Sequence, residues 1–152
     1  MARLAVLQHA MADDIDANLE TAARLMAQAA AAGADIAVFP EVQLSPFFPK
    51  RRRDADPGAG ARYLMDETHP AWRRLSELAA EHALVNIANL YHAAPDGAAY
   101  DASPVFDADG TCLGVSHMVH VAQFERFWEK DYYAHGERFE VYHTAAGRIG
   151  VI

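Results

Sequence analysis

The sequence predicts an α/β fold in a single domain formed by residues 1–152. Short apolar runs of strand length alternate with amphipathic segments of helical periodicity, and glycine, proline or Asp-Gly sequences separate them. The chain length of 152 residues is typical of one domain. Because strands joined by a crossover helix pair in parallel, we expect functional side chains near the carboxyl ends of those strands.

A strand, a helix and a second strand are predicted at the start of the chain. Residues 3–8 (RLAVLQ) have the length of a buried strand. Residues 18–32 place leucine, alanine and methionine at helical spacing after an acidic segment that supplies an N-cap, and Gly33 ends the helix. The apolar run 36–39 (IAVF) then forms the second strand. This order predicts a parallel strand–helix–strand unit.

The rest of the chain continues the alternation of helix and strand. Amphipathic spacing indicates a helix, and an Asp-Gly turn between two apolar runs is typical of a hairpin. The predicted elements are a proline-rich loop at 45–61, a helix at 71–82, a strand at 84–91, a hairpin of 102–106 and 111–121, and a strand at 147–152.

The charge balance limits the classes of partner. The chain carries 13 Lys and Arg against 21 Asp and Glu, a formal net charge of −8. A net acidic surface disfavours binding to nucleic acid or to an anionic membrane. No apolar run approaches the roughly 20 residues of a membrane helix, and the N-terminus lacks the basic region of a signal peptide. The single cysteine, Cys112, forms no internal disulfide, which fits a cytoplasmic location.

The sequence gives no support for a cofactor. It has neither a P-loop nor a Gly-x-Gly-x-x-Gly pattern, the usual signals of nucleotide binding. His117 and His120 lie three residues apart in a predicted strand, so their side chains point to opposite faces and do not share a metal ion. We expect neither a metal nor an organic cofactor.

Glu41 is the first candidate for chemistry. It directly follows a predicted buried strand, behind a proline, and the loop after it contains Phe47 and Phe48. Burial beside aromatic side chains raises the pKa of a carboxyl and makes it a candidate general base. The alternative is an exposed glutamate at a strand end, and position alone leaves both interpretations open.

Residues 33–41 (GADIAVFPE) resemble the catalytic-glutamate segment of the nitrilase superfamily, also called the carbon–nitrogen hydrolases. The similarity continues in order through the 100–114 hairpin, the 129–141 segment and the 147–151 strand. It covers essentially the whole chain and corresponds to about the N-terminal half of a family member. The FPE segment and the PFFP loop that follows it are most similar to the carbamoylputrescine-amidase and carbamoyl-amino-acid-hydrolase branches.

The resemblance implies a four-layer α-β-β-α sandwich and hydrolysis of a non-peptide C–N bond. The expected substrate is a small-molecule amide, N-carbamoyl compound or nitrile, ammonia is released, and the protein is a homo-oligomer. A cysteine–glutamate–lysine triad performs the reaction, with Glu41 as its general base. Glu129 matches a second glutamate that positions the lysine and the substrate, although a surface charge run is the alternative. Phe47 and Tyr132 are the expected substrate-binding residues.

The lysine of the triad is missing from its expected place. After the Leu-Gly of the hairpin the chain reads VSHMVH. Counting back from Glu129 without a gap places Met118 at the lysine position, and one inserted residue places His117 there. We favour His117 because the residues after it resemble those that follow the lysine. A histidine is mostly neutral at pH 7, so the permanent charge that stabilises the oxyanion would be absent.

The nucleophile is expected directly after Ile152, where the sequence stops. Cys112 follows an Asp-Gly turn and is expected to be structural. Either the chain is truncated, or the sequence stops at a chemically modified cysteine. Two alternatives to an enzyme remain at this point: a non-catalytic member or fragment that serves binding or assembly, and an independent small α/β domain.

Overall fold

The computed structural model describes residues 1–152 and contains two α-helices and eight β-strands. No helix has both the length and the apolar character that a membrane crossing requires. The elements, in chain order, are β1 (Leu4–Val6), α1 (Ile15–Ala31), β2 (Ile36–Val38), α2 (Pro70–His82), β3 (Val85–Ile87), β4 (Leu90–Ala93), β5 (Ala99–Phe106), β6 (Cys112–His117), β7 (Glu140–Thr144) and β8 (Gly147–Val151).

Six strands form one mixed sheet. β1, β2 and β3 pair in parallel, as the two crossover helices require. β5 runs antiparallel to β3 and β4 on one edge and to β6 on the other. β7 and β8 form a separate antiparallel hairpin. The predicted α/β class is therefore correct, with a parallel half and an antiparallel half in the same sheet.

Both helices begin and end at residues that suit a helix terminus. The Asp14 carboxylate accepts a hydrogen bond from the backbone N–H of Ala17 and caps α1. Gly33, at φ 75°, follows the end of α1 in the left-handed conformation that glycine adopts without strain. His69 caps α2 through its ring nitrogen, and Pro70 occupies the first helical position.

The sheet has a helix face and a hairpin face. On the helix face, side chains of α1 and α2 pack on the sheet through Met26, Leu75 and Leu78. On the opposite face, Ile36, Val85 and Val105 pack with Tyr142 and the β7–β8 hairpin. Successive residues of a strand alternate between these two faces, so each strand position has a definite side.

The predicted strand at 84–91 is interrupted in the structure. β3 ends at Ile87 and β4 begins at Leu90, because the backbone of Asn89 bonds to Gln43 in the loop after β2 instead of extending the ladder. The predicted strand at 111–121 is also shorter and ends at His117. The break at Asn89 lies where the loop after Glu41 reaches the sheet.

The β7–β8 hairpin differs from the expectation in two respects. β7 was not predicted, because Tyr142 is its only buried residue and the strand has no regular apolar alternation. β8 was predicted as a buried apolar strand, yet its five residues are exposed or half-buried. Its pairing with β7 satisfies the backbone N–H and C=O groups along one edge of the strand.

Candidate active site

Glu41 lies at the carboxyl end of β2, in a turn whose backbone conformation is unusual. Val42, the next residue, has φ 42°, a left-handed conformation that β-branched residues rarely adopt. Its backbone N–H donates to Oδ1 of Asn89 over 2.5 Å, and its buried side chain anchors the turn. Strain of this kind persists only where the surroundings hold it in place, and it fixes the position of Glu41.

Asn89 joins the Glu41 turn to β5. Its side-chain amide donates to Oδ1 of Asp101 over 2.5 Å and to Oγ of Ser103 over 3.1 Å. Its backbone N–H donates to Oε1 of Gln43 over 3.1 Å, and its carbonyl accepts from the N–H of Gln43. The break between β3 and β4 therefore brings a buried carboxylate of the sheet beside the Glu41 turn.

Glu41 and Asp101 form a close pair of carboxyls. Asp101 is only 1% exposed, and Glu41 is half-buried. Burial, the charge of Asp101 and its hydrogen bond raise the pKa of Glu41, and burial also raises the pKa of Asp101. No N–H or O–H donor reaches Oε1 of Glu41 or Oδ2 of Asp101. Two adjacent carboxylates resist simultaneous ionisation, so the raised pKa of Glu41 favours its protonated form at neutral pH.

Glu129 is the third carboxyl near this pair. It opens a short 3₁₀ turn over Glu129–Asp131, is 5% exposed, and accepts a hydrogen bond from the N–H of Ala122 over 2.7 Å. Its charge contributes to the raised pKa values of Glu41 and Asp101. The structure thus places Glu129 inside the protein beside Glu41, whereas its neighbour Lys130 is exposed.

His117, the preferred candidate for the lysine position, lies on the other face of the sheet from Asp101. His117 pairs with Ala102 across β5 and β6, so its side chain lies on the helix face, opposite to that of Asp101. Its ring stacks on Tyr100 at 3.9 Å between centroids and lies 5.8 Å from His92. Burial lowers the pKa of this ring, so it is neutral at pH 7.

Met118, the other candidate for the lysine position, lines the same cavity as Asp101. Its N–H donates to the carbonyl of Asp101 over 2.9 Å, just beyond the end of β6. Its side chain packs against a buried group that we call the aromatic cluster. The aromatic cluster consists of Val42, Phe48, Ala59, Tyr63, Tyr91, Val121, Tyr132 and Tyr133.

The predicted substrate-binding residues belong to this aromatic region. Phe47 is half-buried against the aromatic cluster, and its ring lies 5.4 Å from that of Phe127. Tyr132 packs its ring against Phe48 at 5.1 Å, and its hydroxyl donates to the carbonyl of Arg51. The hydroxyl of Tyr132 therefore points away from the three carboxyls, and only its ring adjoins the site.

A small cavity of about 50 Å³ lies between the first half of β5 and the ends of β6 and β8. It brings the buried carboxyl of Asp101 together with Met118 and the last two residues of the chain. His117 contributes to its wall, although the ring stacks on Tyr100, which lines a different and more polar cavity of about 280 Å³. The lining residues of the smaller cavity are Asn89, Asp101, Ser103, Ser116, His117, Met118, Val151 and Ile152.

Cys112 lies far along β6 from this cavity, in an exposed position at the start of the strand. Partial burial of its sulfur raises the pKa of the thiol, which keeps it protonated and poorly nucleophilic. No group of three or more His, Cys, Asp or Glu side chains is arranged to hold a metal ion.

Three residues of the site were missed by reasoning from the sequence: Asn89, Asp101 and Tyr133. Asn89 carries no distinctive local signal, because the predicted strand 84–91 contains a second asparagine, Asn86, that stays within β3. Asp101 lies within a segment that supported the family resemblance, but nothing local indicates its burial. In the sequence, Tyr133 is not distinguished from the other aromatic residues. Only the tertiary structure shows that its hydroxyl is buried.

Comparisons with known proteins agree with this architecture. The family model for carbon-nitrogen hydrolases matches residues 3–152. The N-carbamoylputrescine amidase of Arabidopsis thaliana is 32% identical over 146 residues, which cover 95% of this chain and 48% of that protein. The chain spans about half the length of the curated relatives it matches.

Solved structures show the same fold. The carbon-nitrogen hydrolase of Helicobacter pylori G27 superposes with a TM-score of 0.81 at 26% identity, over 97% of this chain and 50% of that one. A mutant of the amidase from Nesterenkonia sp. AN1, with acrylamide added to its active-site cysteine, gives a TM-score of 0.72 at 19% identity, over 99% of this chain and 56% of that one. The predicted nitrilase-like fold class is therefore confirmed, and the chain belongs to the carbon-nitrogen hydrolase family.

Proposed function

We propose that the protein hydrolyses a non-peptide C–N bond of a small amide or N-carbamoyl compound and releases ammonia. A nitrile is a further substrate of the same chemistry. The observation that carries this proposal is the cavity in which the buried Asp101 meets Ile152. A cysteine that follows Ile152 would adjoin the cavity lined by Asp101, the carboxyl whose charge acts on Glu41.

Glu41 acts as the general base in this proposal. Its raised pKa allows it to take the proton of the thiol and to return it to the departing amine. The thiolate attacks the substrate carbon and forms a tetrahedral intermediate, which collapses to a thioester as the amine leaves. Glu41 then takes a proton from the water that hydrolyses the thioester, and the thiol is regenerated.

The remaining predicted residues have supporting roles. Glu129, buried near Glu41, holds the substrate or its amino group through its carboxyl group. Phe47 and the ring of Tyr132 form an apolar wall for the substrate. We further propose that residues 1–152 are one portion of a single carbon–nitrogen hydrolase domain.

Assembly and location are also part of the proposal. We expect a homo-oligomer in the cytoplasm, with neither nucleic acid nor a membrane as partner. The net charge of −8 supports the exclusion of polyanionic partners. The oligomeric state is measured by light scattering of the full-length protein, and a monomer at micromolar concentration contradicts the expectation.

The experiment that tests the function is an assay of ammonia release by the full-length protein. The panel pairs each amide with the matching N-carbamoyl compound and nitrile of the same side chain. Glu41→Gln is isosteric and removes the base, so it abolishes turnover. Glu125→Gln is the matched control because this glutamate is exposed, and its turnover remains that of the unmodified protein. Equal turnover by the two variants contradicts the proposed role of Glu41.

A second function is favoured by one observation. Met118 lies at the position that the ungapped match assigns to the lysine, and a thioether provides no charge for an oxyanion. The alternative is therefore a non-catalytic member of the family that serves binding or assembly. Absence of turnover with the whole panel, together with no labelling by iodoacetamide beyond Cys112, supports this alternative. Rapid labelling of a second cysteine contradicts it.

A further inference from the structure

The hydroxyl of Tyr133 is a buried donor without a partner. Tyr133 follows the turn that carries Glu129, and its backbone N–H donates to the carbonyl of Glu129 over 2.8 Å. The side chain is 4% exposed, and its oxygen makes no hydrogen bond within the protein. Leaving such a group unpaired costs free energy, and each native instance calls for a physical reason.

Other tyrosines of the aromatic cluster do not share this property. The structure satisfies each of their hydroxyls with a protein acceptor in the surrounding loops. These pairs are Tyr63 with Asp13, Tyr91 with the carbonyl of Tyr132, and Tyr132 with the carbonyl of Arg51. The unpaired donor of Tyr133 is therefore a specific feature and not a general consequence of packing tyrosines together.

The surroundings of Tyr133 belong to the candidate active site. Its ring packs against Phe48 and Tyr91 at centroid distances of 5.9 and 5.5 Å. Burial, followed by the charges of Asp101, Glu41 and Glu129, raises the pKa of the phenol. The hydroxyl therefore remains protonated and able to donate wherever the protein is folded. The side chain of Met118 packs against the same aromatic cluster.

Hydrolysis of a C–N bond requires a hydrogen-bond donor that faces the substrate oxygen. Attack on an amide or carbamoyl carbon moves negative charge onto the oxygen, and a positioned donor stabilises that charge. Met118 supplies no such donor, because a thioether is only a weak acceptor. We propose that the hydroxyl of Tyr133 donates a hydrogen bond to this oxyanion and replaces the absent cation. This inference rests on the proposed function and assigns one catalytic group of the same site.

Attack of the thiolate on the substrate carbon needs no further reactant. The thiolate forms the C–S bond, and the electron pair of the C=O π bond moves to the oxygen. Tyr133 donates its hydrogen bond to that oxygen and keeps its proton. When the C=O bond re-forms, the C–N bond breaks, and the amine leaves with the proton that Glu41 took from the thiol.

Tyr133→Phe tests the proposal in the full-length protein, with steady-state kinetics on the best substrate of the ammonia-release panel. Loss of one oxyanion donor lowers kcat by about 100- to 1,000-fold, while KM changes little. Tyr63→Phe is the matched control. It removes a hydroxyl from the same aromatic cluster, but this hydroxyl already donates to Asp13. The kcat of Tyr63→Phe is expected to remain within about twofold of that of the unmodified protein, because no oxyanion donor is lost.

Met118→Lys supplies a second measurement that separates a donor from a packing residue. A lysine at this position provides a new cation, so Met118→Lys combined with Tyr133→Phe recovers much of the lost kcat. Unchanged kcat in Tyr133→Phe overturns the inference and leaves the proposed function in place. An equal loss in Tyr63→Phe, or no recovery with Met118→Lys, also overturns it. Absence of turnover by the unmodified protein contradicts the proposed function itself, and the inference with it.

Discussion

The side-chain amide of Asn89 donates to Oδ1 of Asp101 over 2.5 Å. The oxygen of the same amide accepts the N–H of Val42 over 2.5 Å. One side chain thus fixes both the turn that carries Glu41 and the carboxyl that faces Glu41. The distance between the two carboxyls is set by a residue that carries no charge and takes no part in the reaction.

Asn89→Ala is expected to destabilise the protein through this relationship. The substitution leaves the N–H of Val42 and the carboxyl of Asp101 without partners in a buried region. Leaving buried groups unsatisfied costs about 1–3 kcal/mol each, and more for a charged group. Urea unfolding followed by circular dichroism measures the change in the free energy of unfolding.

Ser103→Ala is the matched control for Asn89→Ala. Ser103 accepts only one of the two hydrogen bonds that the Asn89 amide donates, over 3.1 Å. Its removal leaves the bonds to Val42 and Asp101 in place, so the expected cost is below about 1 kcal/mol. An Asn89→Ala protein as stable as the Ser103→Ala protein contradicts the assigned role.

Much of the fold was predictable from local pattern, because apolar spacing and helix caps act within a few residues. The helix at 71–82 and the stop at Gly33 follow from such signals and are present in the structure. The break at Asn89 and the strand β7 were not predictable in this way. Each depends on a contact with residues distant in sequence, with Gln43 in the first case and with the β6 strand in the second.

The site was also predictable only in part, because some of its residues have local signals and others depend on distant contacts. The sequence proposed Glu41 and Glu129, and the structure places both near Asp101. The sequence does not decide between His117 and Met118, because similarity of neighbouring residues does not determine which face of a strand a side chain occupies. A shift of one residue moves a strand side chain to the other face of the sheet. That choice requires the pairing register, which only the folded chain supplies.

Asp101→Asn is expected to shift the pH profile of turnover. Glu41 acts as a base only when ionised, so activity rises as pH increases through the pKa of Glu41. The charge of Asp101 is one cause of the raised pKa of Glu41. Its removal lowers that pKa, and the acidic limb of kcat/KM moves to lower pH by about one unit. An unchanged acidic limb shows that Asp101 does not influence the base.

Glu41→Gln is expected to change how stability depends on pH. The folded-state pKa of Glu41 lies above its unfolded value, so this group favours the folded state while it is protonated. That contribution is complete below the unfolded pKa and is lost as pH rises through the folded pKa. The unmodified protein therefore loses stability between about pH 5 and pH 9 from this group, whereas Glu41→Gln does not.

Thermal unfolding at pH 5 and pH 9 measures this difference. We subtract the Tm of the unmodified protein from that of the Glu41→Gln protein at each pH. This difference is expected to be more positive at pH 9 than at pH 5. Glu125→Gln serves as the control, since Glu125 is exposed and its substitution gives the same relative Tm at both pH values. A relative Tm of Glu41→Gln that is independent of pH contradicts the raised pKa.

A lysine introduced at His117 or at Met118 distinguishes the two positions that the sequence left open. His117 lies on the helix face with its ring on Tyr100, while Met118 packs beside the carboxyls. A lysine at Met118 gains nearby negative charge and a place beside the reacting oxygen, so Met118→Lys raises kcat by about 100-fold, the effect of one oxyanion donor. His117→Lys places its cation in the polar cavity beside Tyr100 and Asp96, away from the reacting oxygen, and leaves kcat unimproved. A higher kcat in His117→Lys than in Met118→Lys contradicts this placement, since it requires the side chain of residue 117 to reach the site from the far face of the sheet.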